Sequence, residues 1–282
     1  MTATGVSSRA LRPMRVLTLN VWGRNGPWEK RRAALREGFR ALAADLVALQ
    51  ELIAAEGYDE AADLLGADFH VAHAKRRENG SGITLASRFP IRATHELDLG
   101  VTPRVGSFPA AALIAEIDAP APFGPVLFVN HLPSWELAFE RERELQAAAA
   151  ARAIEALVRD RGPHVVVSGD LDADPTASSI RFWTGRTSLD GMSVCYRDAW
   201  ESAHPDAPGH TFTRRNANMR DWDWPFGRID YVFVRCGLHG GPTLRIDRCA
   251  LAFDAPIGGV YASDHFGVVA DLSVPASDRR AG

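Results

Sequence analysis

Short apolar runs separated by polar turns follow one another from residue 15 to residue 272, and the period of each run assigns its element. Arg15 to Val21, rich in Val and Leu, predicts a strand. Over Trp28–Asp45 the apolar residues Leu35, Phe39 and Leu42 recur at three and four positions with charges between them, which predicts a helix. Leu46 to Leu52 is an almost continuous apolar run ending in Gln50-Glu51, the pattern of a strand buried on both faces. A short helix is predicted over Asp59–Leu65, and strands over Phe69–Ala74, Gly82–Ser87, Ala111–Ile117 and Val126–Asn130. Trp135 to Asp160, dense in Ala, Glu and Arg, predicts a long helix stopped by Gly162-Pro163. His164–Ser168 is the next strand, followed by a loop over Gly169–Pro175. Ile229–Val234 and Phe266–Leu272 are the last strands. Residues 1–13 are expected to be a disordered lead, residues 275–282 a frayed tail, and residues 14–274 one domain, since no repeat or Gly/Ser linker divides them. Many strands with a few long helices between them make an α/β or α+β layered fold.

Composition narrows the function. Of 282 residues, 46% are hydrophobic, enough to bury one large core. The formal net charge of -3 gives no global basic field, so nucleic acid is possible as a partner but not favoured, and would need a local basic patch. Cys195, Cys236 and Cys249 are odd in number and widely spaced, fitting neither a disulfide framework nor paired zinc ligands, and are expected to be reduced structural thiols. No apolar run reaches the roughly 18 residues of a membrane helix, and the first residues lack a signal peptide's apolar stretch. A cytoplasmic monomer is expected.

Chemistry gathers where the strands end. Asn20 closes the first strand, Glu51 the second, and Asn130-His131 the strand before the long helix. Asp170 and Asp172 follow Val165-Val166-Val167, Asp230 opens Ile229-Asp230-Tyr231, and Asp264-His265 precede the last strand. Loops at strand ends are where rigid scaffolds present catalytic groups. Carboxylates with an asparagine suit a hard divalent cation, and a His-Asp pair can hold phosphate or move a proton. Singly, each has a bland reading: a solvated Glu, a Gly-Asp turn, a structural histidine.

Taken together, these residues resemble the DNase-I-like endonuclease/exonuclease/phosphatase superfamily. Leu19-Asn20-Val21-Trp22-Gly23 is similar to its opening Asn motif and Leu49-Gln50-Glu51 to its metal-binding Glu motif. Ser81-Gly82-Ile83 through Ser87-Arg88-Phe89-Pro90 resembles its hairpin segment, and Val129-Asn130-His131-Leu132 its His-Leu motif. Ser168-Gly169-Asp170-Leu171-Asp172, Arg228-Ile229-Asp230-Tyr231-Val232-Phe233 and Ser263-Asp264-His265-Phe266 complete the set in the family's order. The resemblance implies an α+β fold, a four-layer αββα sandwich of two mixed sheets flanked by helices, and a Mg²⁺- or Mn²⁺-dependent phosphoric ester hydrolase. It also implies roles: Glu51 as principal metal ligand with Asn20 beside it, Asp264 as a further ligand or its support, and Asp170 on the attacking water. His265, held by Asp230, would bind phosphate, and His131 would contact a non-bridging oxygen or the leaving group. Which histidine donates a proton is left open.

One position departs from the family, which usually has Asn where this chain has Asp172. An ionised Asp cannot donate a hydrogen bond to phosphate. Asp172 therefore either binds a second cation, the reading we favour because adjacent carboxylates repel without one, or sits protonated beside Asp170. Substrate clues are fewer. Trp222 and Trp224 among arginines can stack bases or sugar rings or anchor a loop, and Arg76, Arg77 and Arg88 are candidate phosphate contacts. The expected substrate is a small or lipid-derived phosphate diester or monoester; a nuclease, or a non-catalytic binding module on the same fold, is the alternative.

Overall fold

The computed structural model describes residues 12–74, 80–162, 164–238 and 240–275. The readings made for residues 1–11 and 276–282, and for Arg76 and Arg77, lie outside them. Among the described residues thirteen strands form two sheets. The first sheet holds β1 (Met14–Asn20), β2 (Leu46–Ala55), β3 (Tyr58–Asp59), β4 (His70–His73), β5 (Ser81–Ser87), β12 (Arg245–Ala252) and β13 (Gly267–Ser273), in the order β12-β13-β1-β2-β5-β4 with β3 paired to β2. The second holds β6 (Ile91–Asp98), β7 (Ala111–Asp118), β8 (Pro125–Leu132), β9 (His164–Asp170), β10 (Tyr196–Asp198) and β11 (Asp230–Arg235), in the order β10-β11-β9-β8-β7-β6. Both sheets are mixed, because β1 runs parallel to β2 and β8 to β9 while their other neighbours are antiparallel.

The continuous apolar runs follow from burial on both faces. On β1, Val16 points between the sheets while Leu17 and Leu19 point to the helix side; on β9, Val166 faces the other sheet while Val165 and Val167 face helices. One core therefore fills the space between the sheets. A second lies under α3 (Glu140–Arg161) and α4 (Ser178–Trp183), and a third under α1 (Trp28–Leu42) and α2 (Glu60–Leu65). A fifth helix, α5 (Ala199–Ala203), follows β10. Helix, sheet, sheet, helix is the four-layer α+β sandwich.

Helix ends differ from the periodicity for identifiable reasons. The long helix begins at Glu140 rather than Trp135 because Arg143 Nη1 donates to the carbonyls of Ser134 and Glu136, while Gln146 Oε1 accepts from the Ser134 amide. The Ser134 amide and the Ser134 and Glu136 carbonyls are thus satisfied without helical bonds. The first helix stops at Leu42, with Ala43 in the left-handed conformation donating its N–H to Phe39 O at 3.1 Å. Cys195 and Cys236, remote in sequence, lie opposite each other at the end of the β10–β11 pair, joined by a backbone bond of 2.9 Å.

Candidate active site

Strand direction brings the polar ends together. β1 and β2 run in parallel to Asn20 and Glu51, while β13, antiparallel to β1, starts just after Asp264-His265. On the second sheet β9 ends at Asp170, and antiparallel β11 begins with Asp230 directly opposite it. A buried polar floor joins the sheets below these ends. Gln50 Nε2 donates to Asn130 Oδ1 at 2.7 Å, and Asn130 Nδ2 donates to the carbonyls of Leu49 and Thr84 at 2.9 Å each. An unpaired amide here would cost on the order of 1–3 kcal/mol, so the floor holds the register between the sheets.

Above it, Asn20, Glu51, Asp170, Asp172, Asp264 and His265 line one cavity of about 300 Å³. Asn20 Nδ2 donates to Asp170 Oδ2 at 2.9 Å and Glu51 Oε1 at 3.2 Å, linking one sheet to the other. Glu51 does not close its strand, since β2 runs on to Ala55; it sits at a bulge in the β2–β5 pairing with φ 57°, and Asp172 has φ 50°. Such left-handed, non-glycine residues collect at functional sites, and a bulge re-aims its side chain. Gly169 is required for the approach of the next strand: a Cβ there would meet His131 O at 2.0 Å.

His265 is held on all sides. Its Nδ1 lies 3.0 Å from Asp230 Oδ2, its Nε2 3.8 Å from Asp170 Oδ2, and its ring packs against Phe212 with centroids 4.7 Å apart. Burial alone would push the imidazolium down, but Asp230, Asp170 and Asp264 outweigh it and hold His265 well above its ordinary value. Asp170 is pushed up to about 7, chiefly by burial and, against the pull of His265, by the charges of Asp230 and Glu51. Burial and Glu51 raise Asp264 to about 6. Asp172 is raised well above the carboxylate range by burial, Asp170 and Glu51. Among the described residues, ligand atoms of Asp170, Asp230 and His265 lie within 4.8 Å of one another, and Asp230 Oδ1 is buried without a hydrogen-bond partner.

These shifts set an expected pH dependence. In the unfolded chain Asp170 and Asp264 titrate near 3.8, whereas in the native, metal-free protein they hold protons up to about 7 and 6. The native state binds more protons across that window, so stability falls as pH rises through it. His265 acts in the same sense, its contribution being lost as pH rises through its elevated folded value. Thermal melts in EDTA are expected to show Tm dropping between about pH 5 and 8, with Mg²⁺ restoring more at the upper end. A flat or rising EDTA series would contradict this electrostatic picture.

Sequence reading named other residues that the fold sends elsewhere. His131, 1% exposed, points from β8 to the helix side, because alternation commits Asn130 to the sandwich interior. It packs edge-on against Trp183 with centroids 5.9 Å apart, and burial lowers it to about 3, so it is a neutral ring behind the cavity wall. Arg88 follows β5 at the end remote from Glu51. There it donates to Ala44 O and lies over the Phe69 ring. Trp222 is 57% exposed and not part of the lining, whereas Trp224 lines the cavity, stacked on Trp135 at 6.4 Å.

Ser263 stands in the Ser263-Asp264-His265-Phe266 motif, whereas the other supports had no distinct sequence signal. Ser263 Oγ donates to Asn20 O at 2.6 Å and accepts from the His265 amide, and Asn216 Nδ2 donates to the Ser263 and Asp264 carbonyls at 2.9 Å. Thr211 Oγ1 accepts from the Ile229 and Asp230 amides. Fully buried Arg31 donates from α1 to the carbonyls of Val21, Gly23, Asn25 and Ala262, tying together the loops that carry Asn20 and Asp264. The charge behind these contacts is visible in its acidity: burial lowers Arg31 to about 10, against the fields of Asp264, Glu60 and Glu51.

Oxygen donors gathered in this way make a candidate centre for a hard divalent cation, and the raised carboxylates Asp170, Asp172 and Asp264 around the cavity fit one. On this fold that centre defines a metal-dependent phosphoesterase. The chain matches the model of the endonuclease/exonuclease/phosphatase family over residues 17–265 and belongs to that family. No curated protein matches it in sequence. Among solved structures it is similar to TDP2 from Caenorhabditis elegans, at 17% identity and TM-score 0.73, covering 93% of this chain and 74% of that one. TDP2 from D. rerio complexed with single-strand DNA product aligns at 18% identity and TM-score 0.70, covering 93% of this chain and 99% of that one. An endonuclease/exonuclease/phosphatase from Bacteroides vulgatus aligns at 19% identity and TM-score 0.70, covering 93% of this chain and 98% of that one. At such identities the likeness is one of fold. No helix among the described residues is long and apolar enough to cross a membrane.

Proposed function

We propose that the protein hydrolyses a small or lipid-derived phosphate ester, diester or monoester, by water attack in the cavity between Glu51 and His265, with Mg²⁺ or Mn²⁺ as the cation. The observation that carries this reading is the convergence of Asn20, Glu51, Asp170, Asp172, Asp264 and His265 on one cavity. Glu51 and Asp264, with Asn20 beside them, are the groups we assign to the cation, and Asp172 supplies a further carboxylate for a second one. Bound there, a divalent cation supplies positive charge to phosphoryl oxygens.

The chain's own groups do the rest. Asp170, buried at the end of β9 opposite Asp230, is the carboxylate placed to take a proton from the attacking water. The Asn20 amide holds the Asp170 carboxylate in place. His265, kept cationic by Asp230, donates from Nε2 to a phosphoryl oxygen and stabilises the charge that develops there. His131, neutral and behind the wall, is left out of the proton transfers. D. rerio TDP2 is seen with single-strand DNA product, but no Lys or Arg is among the described residues lining the cavity here. The formal net charge of -3 offers a polyanionic backbone no global basic field, so we favour the smaller substrate.

Purified protein is expected to hydrolyse a model diester or monoester with Mg²⁺ or Mn²⁺ and to lose that activity in EDTA, within a panel including plasmid DNA, inositol phosphates and sphingomyelin. Glu51→Gln is expected to raise the metal concentration for half-maximal rate about tenfold or more. Unchanged metal dependence would remove Glu51 from the ligand set; normal folding with no hydrolysis of any panel member would favour a binding module.

A further inference from the structure

The cavity is chemically one-sided. Asn20, Glu51, Asp264 and His265 at the first sheet, with Asp170 and Asp172 at the end of β9, make its polar side, whereas Phe108, Leu132, Trp135 and Trp224, from loops or strand ends of the second sheet, make an apolar wall. Phe212 continues the apolar side up to the His265 ring. Trp135 and Trp224 stack on each other, yet Trp135 is still 46% exposed, so a large indole surface stays open beside the phosphate position.

The wall is also pre-ordered. Arg143 and Gln146 fix the loop before α3 through the backbone of Ser134 and Glu136, one residue on either side of Trp135. A fixed aromatic surface of this kind binds apolar groups at low entropic cost, and an exposed aromatic cluster beside convergent polar groups marks a ligand position.

We propose that the Trp135–Trp224 stack is a substrate subsite that takes the apolar organic group, aryl ring or alkyl chain, carried by the phosphate. It rests on the phosphoesterase reading of the same cavity. The phosphate faces His265 and the carboxylate side, and the organic group lies along the indoles. Trp135 becomes a specificity-determining residue, and Trp222, outside the lining, has no part in it.

Non-hydrolysable phosphonates test the subsite without turnover. Binding of methyl-, phenyl- and hexylphosphonate to the full-length protein is measured calorimetrically in Mg²⁺. Wild-type protein is expected to bind phenyl- or hexylphosphonate about tenfold more tightly than methylphosphonate. A preference for phenyl identifies a ring substrate, and one for hexyl a chain. Trp135→Ala and Trp224→Ala are each expected to remove most of that preference while changing methylphosphonate affinity less than about twofold, and Trp224→Phe to keep it. Equal wild-type affinity for all three would overturn the subsite, as would variants that weaken all three alike, the mark of a loop clasp. If wild-type protein binds none of them, nor inorganic phosphate, the phosphoesterase reading falls and the subsite with it.

Discussion

Asp170→Asn is expected to lower kcat about a thousandfold while leaving the Tm of the metal-free protein within a few degrees of wild type. Asn keeps the shape of the side chain and can still meet Asn20, but it cannot take a proton. The group being removed is the carboxylate that Asn20 holds at 2.9 Å, that faces Asp230 across the strand pair, and that is pushed up to about 7. Removing a buried negative charge from among Glu51, Asp172 and Asp230 relieves repulsion, so folding has little to lose. Steady-state kinetics and a melt on the same preparation check both halves. Retention of more than about a tenth of wild-type kcat would remove Asp170 from the base role, and parallel collapse of Tm and rate would make it structural.

Arg31→Met is expected to be the most destabilising substitution near the site. Met keeps much of the bulk but leaves the carbonyls of Val21, Gly23, Asn25 and Ala262 without their shared donor. It also removes the positive charge facing Asp264, Glu60 and Glu51. Stranding buried polar and charged groups costs on the order of 3–5 kcal/mol, which for a chain of this size is a Tm drop of about 6–12 °C. Because the freed loops carry Asn20 and Asp264, metal affinity is expected to weaken as well. Differential scanning calorimetry with a Mg²⁺ titration measures both; a Tm loss under about 2 °C would show that the loops hold themselves.

Much of this arrangement is legible in the chain. Polar residues beside apolar runs marked Asn20, Glu51, Asp170, Asp230 and Asp264-His265, most of them where a strand ends, whereas Glu51 sits at a bulge inside β2 and the polar Gln50 and Asn130 are tolerated within buried strands because they pair with each other. Less legible were elements whose burial is partial. β6 alternates half-buried and exposed residues with few large apolar side chains, and β12 is bulged between Ile246 and Arg248, which interrupts the alternation. Side-chain direction was also hidden. Asn130 and His131 sit in one motif, but a single step along β8 sends the first between the sheets and the second toward Trp183. Arg88 looked like a phosphate contact until strand polarity placed it at the far end of β5. Trp135 and Arg31 carried no local signal, since their roles depend on loops remote in sequence meeting in space.

The central claim is that one cation-and-phosphate pocket lies among Glu51, Asp170, Asp264 and His265. Its most direct test is a crystal structure grown with Mn²⁺ and phosphate, with data collected to show the manganese anomalous signal. The account predicts a manganese peak bound by Glu51 in this cavity and a phosphate oxygen within hydrogen-bond reach of His265 Nε2. A cavity that stays free of manganese at saturating concentration, or manganese bound only at other surfaces, would contradict it.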